Sequence, residues 1–125
     1  MPLSRPLFLT GMMGTGKSVL GQSIATRTGL PFVDLDRRIE ERAGMSIAQL
    51  FQERGEAAFR VVERSLLEAE LSDPTPRIVA LGGGALLDRE VRLRALEKGL
   101  VVALSAEANE LLRRLGTDRS RPLLE

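Results

Sequence analysis

The sequence contains no cysteine and no histidine among its 125 residues. Without cysteine it can form no disulfide and no thiolate metal site. Without histidine it has no Ser-His-Asp machinery, no histidine metal ligand and no imidazole proton shuttle. Any acid–base chemistry must therefore use aspartate, glutamate or lysine.

Aromatic residues and net charge are also scarce. All four aromatics are phenylalanine, and 18 basic residues against 17 acidic ones leave a formal net charge of +1. A nucleic-acid protein needs basic side chains to attract phosphates and often aromatics to stack on bases, so nucleic acid is not an expected partner. No apolar run reaches membrane-spanning length, and the first 13 residues lack the form of a signal peptide. We expect a cytoplasmic protein with no membrane partner.

The chain alternates short apolar runs with longer amphipathic ones. The short runs, at residues 7–9, 32–35, 78–81 and 100–104, predict buried strands because they show no clean polar alternation. Helices are predicted at 18–28, 36–44, 46–55, 56–71, 88–99 and 106–115, with N-caps at Asp36, Ser46, Asp88 and Ser105. Strands alternating with helices indicate an α/β fold with a parallel sheet and right-handed crossovers. The length suggests one domain.

A phosphate-binding loop is the strongest motif. Residues 11–18 read GMMGTGKS and fit G-x-x-x-x-G-K-[ST] between a predicted strand and a predicted helix, which is the context this motif requires. Glycines let backbone N–H groups approach phosphate oxygens, and the helix N-terminus adds its positive end. Lys17 can follow the β- and γ-phosphates during transfer, and Ser18 can place its hydroxyl on Mg²⁺. The sequence therefore predicts a nucleotide site.

Two aspartates, Asp34 and Asp36, follow the second predicted strand. Ligands of parallel α/β sheets sit beyond the carboxyl ends of the strands, and a spacing of two along an extended chain places both side chains on one side. One carboxylate could hold Mg²⁺ through water while the other accepts a proton from an attacking hydroxyl. The alternative is structural, with Asp36 as a helix cap and Asp34 as a solvated loop residue.

Three glycines, Gly82 to Gly84, follow the third predicted strand, where many phosphate-loop enzymes carry an aspartate that holds Mg²⁺. They indicate a close approach of backbone to a ligand or close packing, which makes Asp34 the favoured Mg²⁺ partner. The alternative is a plain flexible turn.

Arginines mark two further candidate sites. Arg60 adjoins a core-facing stripe, which is an unusual place for an unpaired arginine. Pairing of its guanidinium with the carboxylate of a ligand would explain this position, and so would a salt bridge to Glu63 or Glu56. A basic segment, 113–122, fits either a mobile lid with an arginine for the γ-phosphate or a frayed, solvated tail.

In this order the motifs resemble those of the shikimate kinase family. The resemblance rests on the loop at 11–18, FVDLD at 32–36, Ser46, Ile47 and Phe51, GEAAFR at 55–60 with Glu63, GGG at 82–84, and RPLL at 121–124. It covers nearly the whole chain, and it implies a three-layer fold with a central parallel sheet, of which four strands are expected here. It also implies transfer of the ATP γ-phosphoryl group to the 3-hydroxyl of shikimate, with Mg²⁺ as cofactor, ATP and shikimate as partners, and a monomer.

The resemblance also implies roles for individual residues. Lys17, Asp36 and Arg121 would be catalytic, with Asp36 as the candidate base and Arg121 as the lid arginine. Ser18 would bind Mg²⁺ directly, and Asp34 would bind it through water. Shikimate would be held by Asp36, Arg60, Gly82, Gly83 and Gly84. The residues expected to bind ATP are Gly11, Gly14, Thr15, Gly16, Lys17, Ser18, Arg114 and Arg121.

The family continues beyond a lid that would lie at about 116–124 here, with a further helix, strand and helix that supply part of the adenine pocket and another shikimate-binding arginine. We therefore expect residues 1–125 to form one kinase domain truncated after the lid, which binds nucleotide weakly and turns over poorly. Two other functions stay open: another small-metabolite kinase, such as a gluconate kinase, and a non-catalytic nucleotide-binding module.

Overall fold

The computed structural model describes residues 3–11, 16–82 and 84–104. Four strands and four helices follow in the order β1 (Leu7–Gly11), α1 (Lys17–Thr28), β2 (Phe32–Asp34), α2 (Leu35–Ala43), α3 (Ile47–Leu71), β3 (Ile78–Ala80), α4 (Arg89–Lys98) and β4 (Leu100–Leu104). The predicted α/β alternation is confirmed. The predicted helix at 106–115 lies outside the described residues.

The four strands form one parallel sheet in the order β2-β3-β1-β4. Side chains of β1 alternate between its two faces, so Phe8 joins one apolar cluster while Leu7 and Leu9 join the other. Helix α1 packs in the second cluster, and α2, α3 and α4 pack in the first. Helices on both faces of a parallel sheet make the three layers that the family resemblance implied.

Local hydrogen bonds explain where several helices begin. Ser46 and Gln49 form the predicted capping box at the start of α3, and Asp88 accepts from the backbone N–H of Val91 as the predicted cap of α4. The predicted cap of α2 is wrong. Its N-cap is Asp34, whose side chain accepts from the backbone of Asp36 and Arg37, and Leu35 begins the helix instead of ending the strand.

Helix α3 is kinked at Gly55, where two helices were predicted to meet. Gly55 has φ 85° and ψ 170°, a conformation that essentially only glycine adopts. The kink lets the rings of Phe51 and Phe59, one on each side of it, pack with centroids 4.8 Å apart. The predicted break is therefore real, although the helical segments on either side are continuous in the chain.

None of the helices in the described part of the chain is long and apolar enough to cross a membrane.

Candidate active site

The N-terminus of α1 lies at the carboxyl edge of the sheet, because α1 is the first helix after β1. Gly16 is the N-cap of α1 in a left-handed conformation, φ 84° and ψ 19°, and it brings no side-chain acceptor to the first turn. The N–H groups of that turn can therefore serve an anion. Lys17 begins the helix, and its ammonium donates to the carbonyl of Gly11 over 2.8 Å. Gly14 and Thr15 lie outside the described residues.

Ser18 of α1 and Asp34 at the end of β2 are joined by a hydrogen bond. The Ser18 hydroxyl donates to Oδ2 of Asp34 over 3.0 Å, while Oδ1 of Asp34 accepts from the N–H of Asp36 over 3.1 Å. Asp34 is thus the helix cap and also the partner of Ser18, so the structural alternative, in which Asp36 is the cap and Asp34 a solvated loop residue, is wrong. A hydroxyl beside a carboxylate is an oxygen donor set of the kind that Mg²⁺ prefers.

The rest of the described chain adds no fuller metal cage. Across residues 3–11, 16–82 and 84–104, no three acidic side chains converge to hold an ion. Mg²⁺ usually keeps several waters and takes only one or two protein ligands beside substrate phosphates, so this sparse set still fits it.

Asp36 lies in the first turn of α2 and not on an extended strand, so the spacing argument for the aspartate pair is wrong. Burial raises the pKa of the Asp36 carboxyl above its usual range, and the Asp34 carboxylate raises this pKa further. The Lys17 ammonium partly offsets both effects, which places it within electrostatic reach of Asp36. The structure therefore brings Lys17, Asp34 and Asp36 together, as predicted. Asp36 reaches this position from the first turn of α2, and not from an extended strand.

Arg60 lies on α3 and forms the salt bridge that the sequence left open. Its Nη1 is 2.8 Å from Oε1 of Glu63, and its guanidinium carbon is 5.1 Å from the centre of the Phe59 ring. The Arg60 side chain stays 42% exposed, whereas that of Glu63 is 7% exposed. Because the guanidinium has five donors, one edge can bind Glu63 while another remains available to a ligand.

Glu63 was not among the predicted site residues. Its carboxylate pairs with Arg60 and also raises the pKa of Asp36, so it is near both charged groups. The signal was present in the sequence, because Glu63 falls in a row of buried residues spaced by four on α3, together with Phe59, Leu67 and Leu71. A carboxylate in a buried apolar row points to a specific partner.

Two glycines that follow β3, Gly82 and Gly84, lie against charged groups of the site. A Cβ at Gly82 would lie 3.0 Å from Oδ1 of Asp36, and a Cβ at Gly84 would lie 2.8 Å from Nη1 of Arg60. Gly82 and Gly84 thus meet the two predicted substrate-binding side chains. Gly83, Arg114, Arg121 and the expected lid lie outside the described residues.

Beside Arg60, an open groove of about 390 Å³ runs between α3 and residues 84–91. Arg60, Glu63 and Gly84 line it, together with the apolar side chains of Leu67 and Val91. Asp34 and Asp36 are not part of its lining, whereas Asp88 is.

Comparison with known proteins identifies the family. The sequence profile described as shikimate kinase matches residues 13–125. The chain is 50% identical over 125 residues to the shikimate kinase of Salinibacter ruber and 43% identical over 124 residues to that of Bordetella avium. The alignments include 99% of this chain but 61% and 59% of those proteins, so the chain spans about three fifths of the length of these relatives.

Solved structures agree with the sequence comparison. Shikimate kinase from Acinetobacter baumannii, in complex with shikimate, matches 97% of this chain and 67% of its own, with a TM-score of 0.76 and 34% identity. Shikimate kinase from Bacteroides thetaiotaomicron matches 97% of this chain and 69% of its own, with a TM-score of 0.76 and 38% identity. The chain therefore belongs to the shikimate kinase family.

Proposed function

We propose that this protein transfers the γ-phosphoryl group of ATP to the 3-hydroxyl of shikimate. The observation that carries the proposal is the position of Asp36, whose pKa is raised, within electrostatic reach both of Lys17 and of Glu63, the partner of the half-exposed Arg60. A carboxylate beside a phosphate-binding lysine suits a hydroxyl acceptor, and a guanidinium nearby suits an acceptor that carries its own carboxylate.

In this proposal the phosphate loop and Lys17 hold the β- and γ-phosphates. Asp36 binds the acceptor hydroxyl and takes its proton as the γ-phosphoryl group arrives. A base of raised pKa is well matched to that step, because the ideal pKa of a catalytic base lies near the operating pH. Arg60 pairs with the carboxylate of shikimate, and Gly82, Gly83 and Gly84 form the wall beside it. Family resemblance adds Arg114 near adenine and Arg121 near the γ-phosphate.

Mg²⁺ belongs to the proposal through Ser18 and Asp34. These two residues would hold the ion, Ser18 directly and Asp34 through water, and the ion would neutralise charge on the phosphates. Their hydroxyl–carboxylate contact of 3.0 Å supports the assignment, since an ion and its waters can replace the hydrogen bond.

The decisive experiment measures ADP release with Mg-ATP in the presence and absence of shikimate. Asp36→Asn removes the base while keeping the shape, and Asp73→Asn makes the same change at an aspartate of the loop before β3, at the opposite end of that strand from Gly82. We expect release that depends on shikimate, loss of that release in Asp36→Asn, and no loss in Asp73→Asn. Release with gluconate instead would identify another small-metabolite kinase, and tight nucleotide binding without release would identify a binding module.

The assay needs two lengths of chain, because the relatives are longer than these 125 residues. A chain extended beyond Glu125 to the length of these relatives tests the proposed activity, and residues 1–125 test the expectation of a truncated kinase domain with poor turnover. The monomeric state and the cytoplasmic location stay predictions.

A further inference from the structure

The backbone conformation does not explain why residues 82 and 84 are glycine. Neither belongs to the described glycines with positive φ, so other residues could adopt their conformations. What both positions share is contact with a charged group. A Cβ at Gly82 would lie 3.0 Å from Oδ1 of Asp36, and a Cβ at Gly84 would lie 2.8 Å and 2.9 Å from Nη1 and Nη2 of Arg60.

The two contacts differ in what would have to move. At Gly84 the obstacle is the tip of a long, flexible and 42% exposed side chain, so a methyl group would displace the guanidinium with little effect on folding. At Gly82 the obstacle is a short carboxylate on the first turn of α2, which would have to shift by a few tenths of an ångström. Small shifts of this kind matter where reacting groups must be aligned.

We propose that Gly82 and Gly84 are positioning residues, which leave room for the Asp36 carboxylate and the Arg60 guanidinium at the places where these groups meet the acceptor. The proposal rests on the proposed function for the identity of that acceptor. It gives the outer glycines separate roles, since Gly84 acts through the group that binds a carboxylate and Gly82 acts through the base.

The separate roles predict different kinetics. Gly84→Ala should raise the KM for shikimate by about tenfold or more while kcat changes little, as expected when a charged hydrogen bond of the bound acceptor is lost. Gly82→Ala should lower kcat by about three- to tenfold with a smaller change in KM, because the base is misaligned. Neither substitution should move the urea midpoint by as much as a core substitution does.

A double-mutant cycle tests whether Gly84 acts through Arg60. Once Arg60→Ala has removed the guanidinium, adding Gly84→Ala should change the KM for shikimate by less than about twofold, because the two substitutions then remove the same interaction. Gly29→Ala is the matched control. Its Cβ would meet nothing within 4 Å, but its φ of +72° is strained for alanine, so it should lower the urea midpoint and leave the KM unchanged.

A second readout needs no turnover. In the protein without ligands, the side-chain Nε–H NMR signal of Arg60 should shift in Gly84→Ala and stay in place in Gly29→Ala. The signal is assigned by its absence in Arg60→Lys. A shifted signal supports the positioning role even if shikimate proves to be the wrong acceptor. An unshifted signal overturns it. The positioning role is also overturned if the effects of Arg60→Ala and Gly84→Ala on the KM are additive in an enzyme that phosphorylates shikimate.

Discussion

Arg77 fastens the C-terminal end of α3 to the start of β3, and its removal is the sharpest test of how the site is supported. The residue is 4% exposed and directly precedes the strand that leads to Gly82. Its guanidinium donates to the carboxylate and carbonyl of Glu70 and to the carbonyls of Asp73 and Thr75, over 2.7 to 3.1 Å. Arg77 thus ties the helix that carries Arg60 to the strand before the glycines.

The cost of Arg77→Met follows from these contacts. Hydrogen bonds to charged groups contribute about 1.5–3 kcal/mol each, so five independent ones would equal the free energy of unfolding of a whole domain. The five hydrogen bonds share one guanidinium and are not independent, and the cost of burying its charge offsets much of the free energy they contribute. Removing one partner of a buried ion pair costs about 3–5 kcal/mol. Arg38 also reaches Glu70 at 3.8 Å, so we expect the lower value, about 3 kcal/mol.

Urea unfolding followed by circular dichroism measures this cost. With slopes of about 1–3 kcal/mol per molar urea, the midpoint should fall by about 1–3 M. The matched control is Arg64→Met, since Arg64 also has two acidic partners, Glu68 at 3.1 Å and Asp88 at 3.6 Å, but is 48% exposed. Exposed pairs contribute little, so its midpoint should hardly move. Equal shifts for the two variants would refute the reasoning from burial.

Three further predictions concern single side chains. Asp36→Asn should raise the urea midpoint at about pH 7 but not at about pH 3. Burial and the Asp34 carboxylate raise the pKa of Asp36 in the folded state. The folded state therefore loses stability as the pH rises from the ordinary aspartate range through that raised pKa. An equal change at both pH values would contradict this sign. Gly55→Ala should cost about 1–3 kcal/mol in thermal unfolding, since its φ of 85° and ψ of 170° suit glycine alone; unchanged stability would mean that the kink can relax. Gly21→Ala should cost about 1–3 kcal/mol by overpacking, because its Cβ would meet the Phe32 ring. Phe32→Leu should recover part of that loss, and a purely additive double variant would argue against the contact.

Capping shows how far local pattern carries. The capping box of Ser46 with Gln49 and the cap at Asp88 were predicted correctly, because each cap lies within three residues of its partner in the structure. The sequence around Asp34 offers two carboxylates two residues apart, and either could begin a helix. The choice depended on where β2 stops pairing with β3, at Asp34 opposite Ala80, which is a distant contact.

The ion-pair partner of Arg60 is a part of the site that the sequence left undecided. Helical spacing placed Arg60 near a buried stripe, but whether it paired with Glu56 or Glu63 depended on the burial of each carboxylate. Glu63 is 5% exposed and makes the pair. Burial of that kind is a property of packed elements, so sequence spacing alone could propose the partners and not choose between them.

The sequence by itself determined the parallel α/β arrangement, the glycine loop with Lys17 and Ser18 at a helix start, and the family, because these depend on residue types at short, regular spacings. Only the tertiary structure decided that Asp36 is a partly buried acid of raised pKa and that Gly82 and Gly84 lie against Asp36 and Arg60. The physical reason is that desolvation and Coulomb interactions depend on distances between groups that are far apart in the chain, and packing of the helices on the sheet sets those distances.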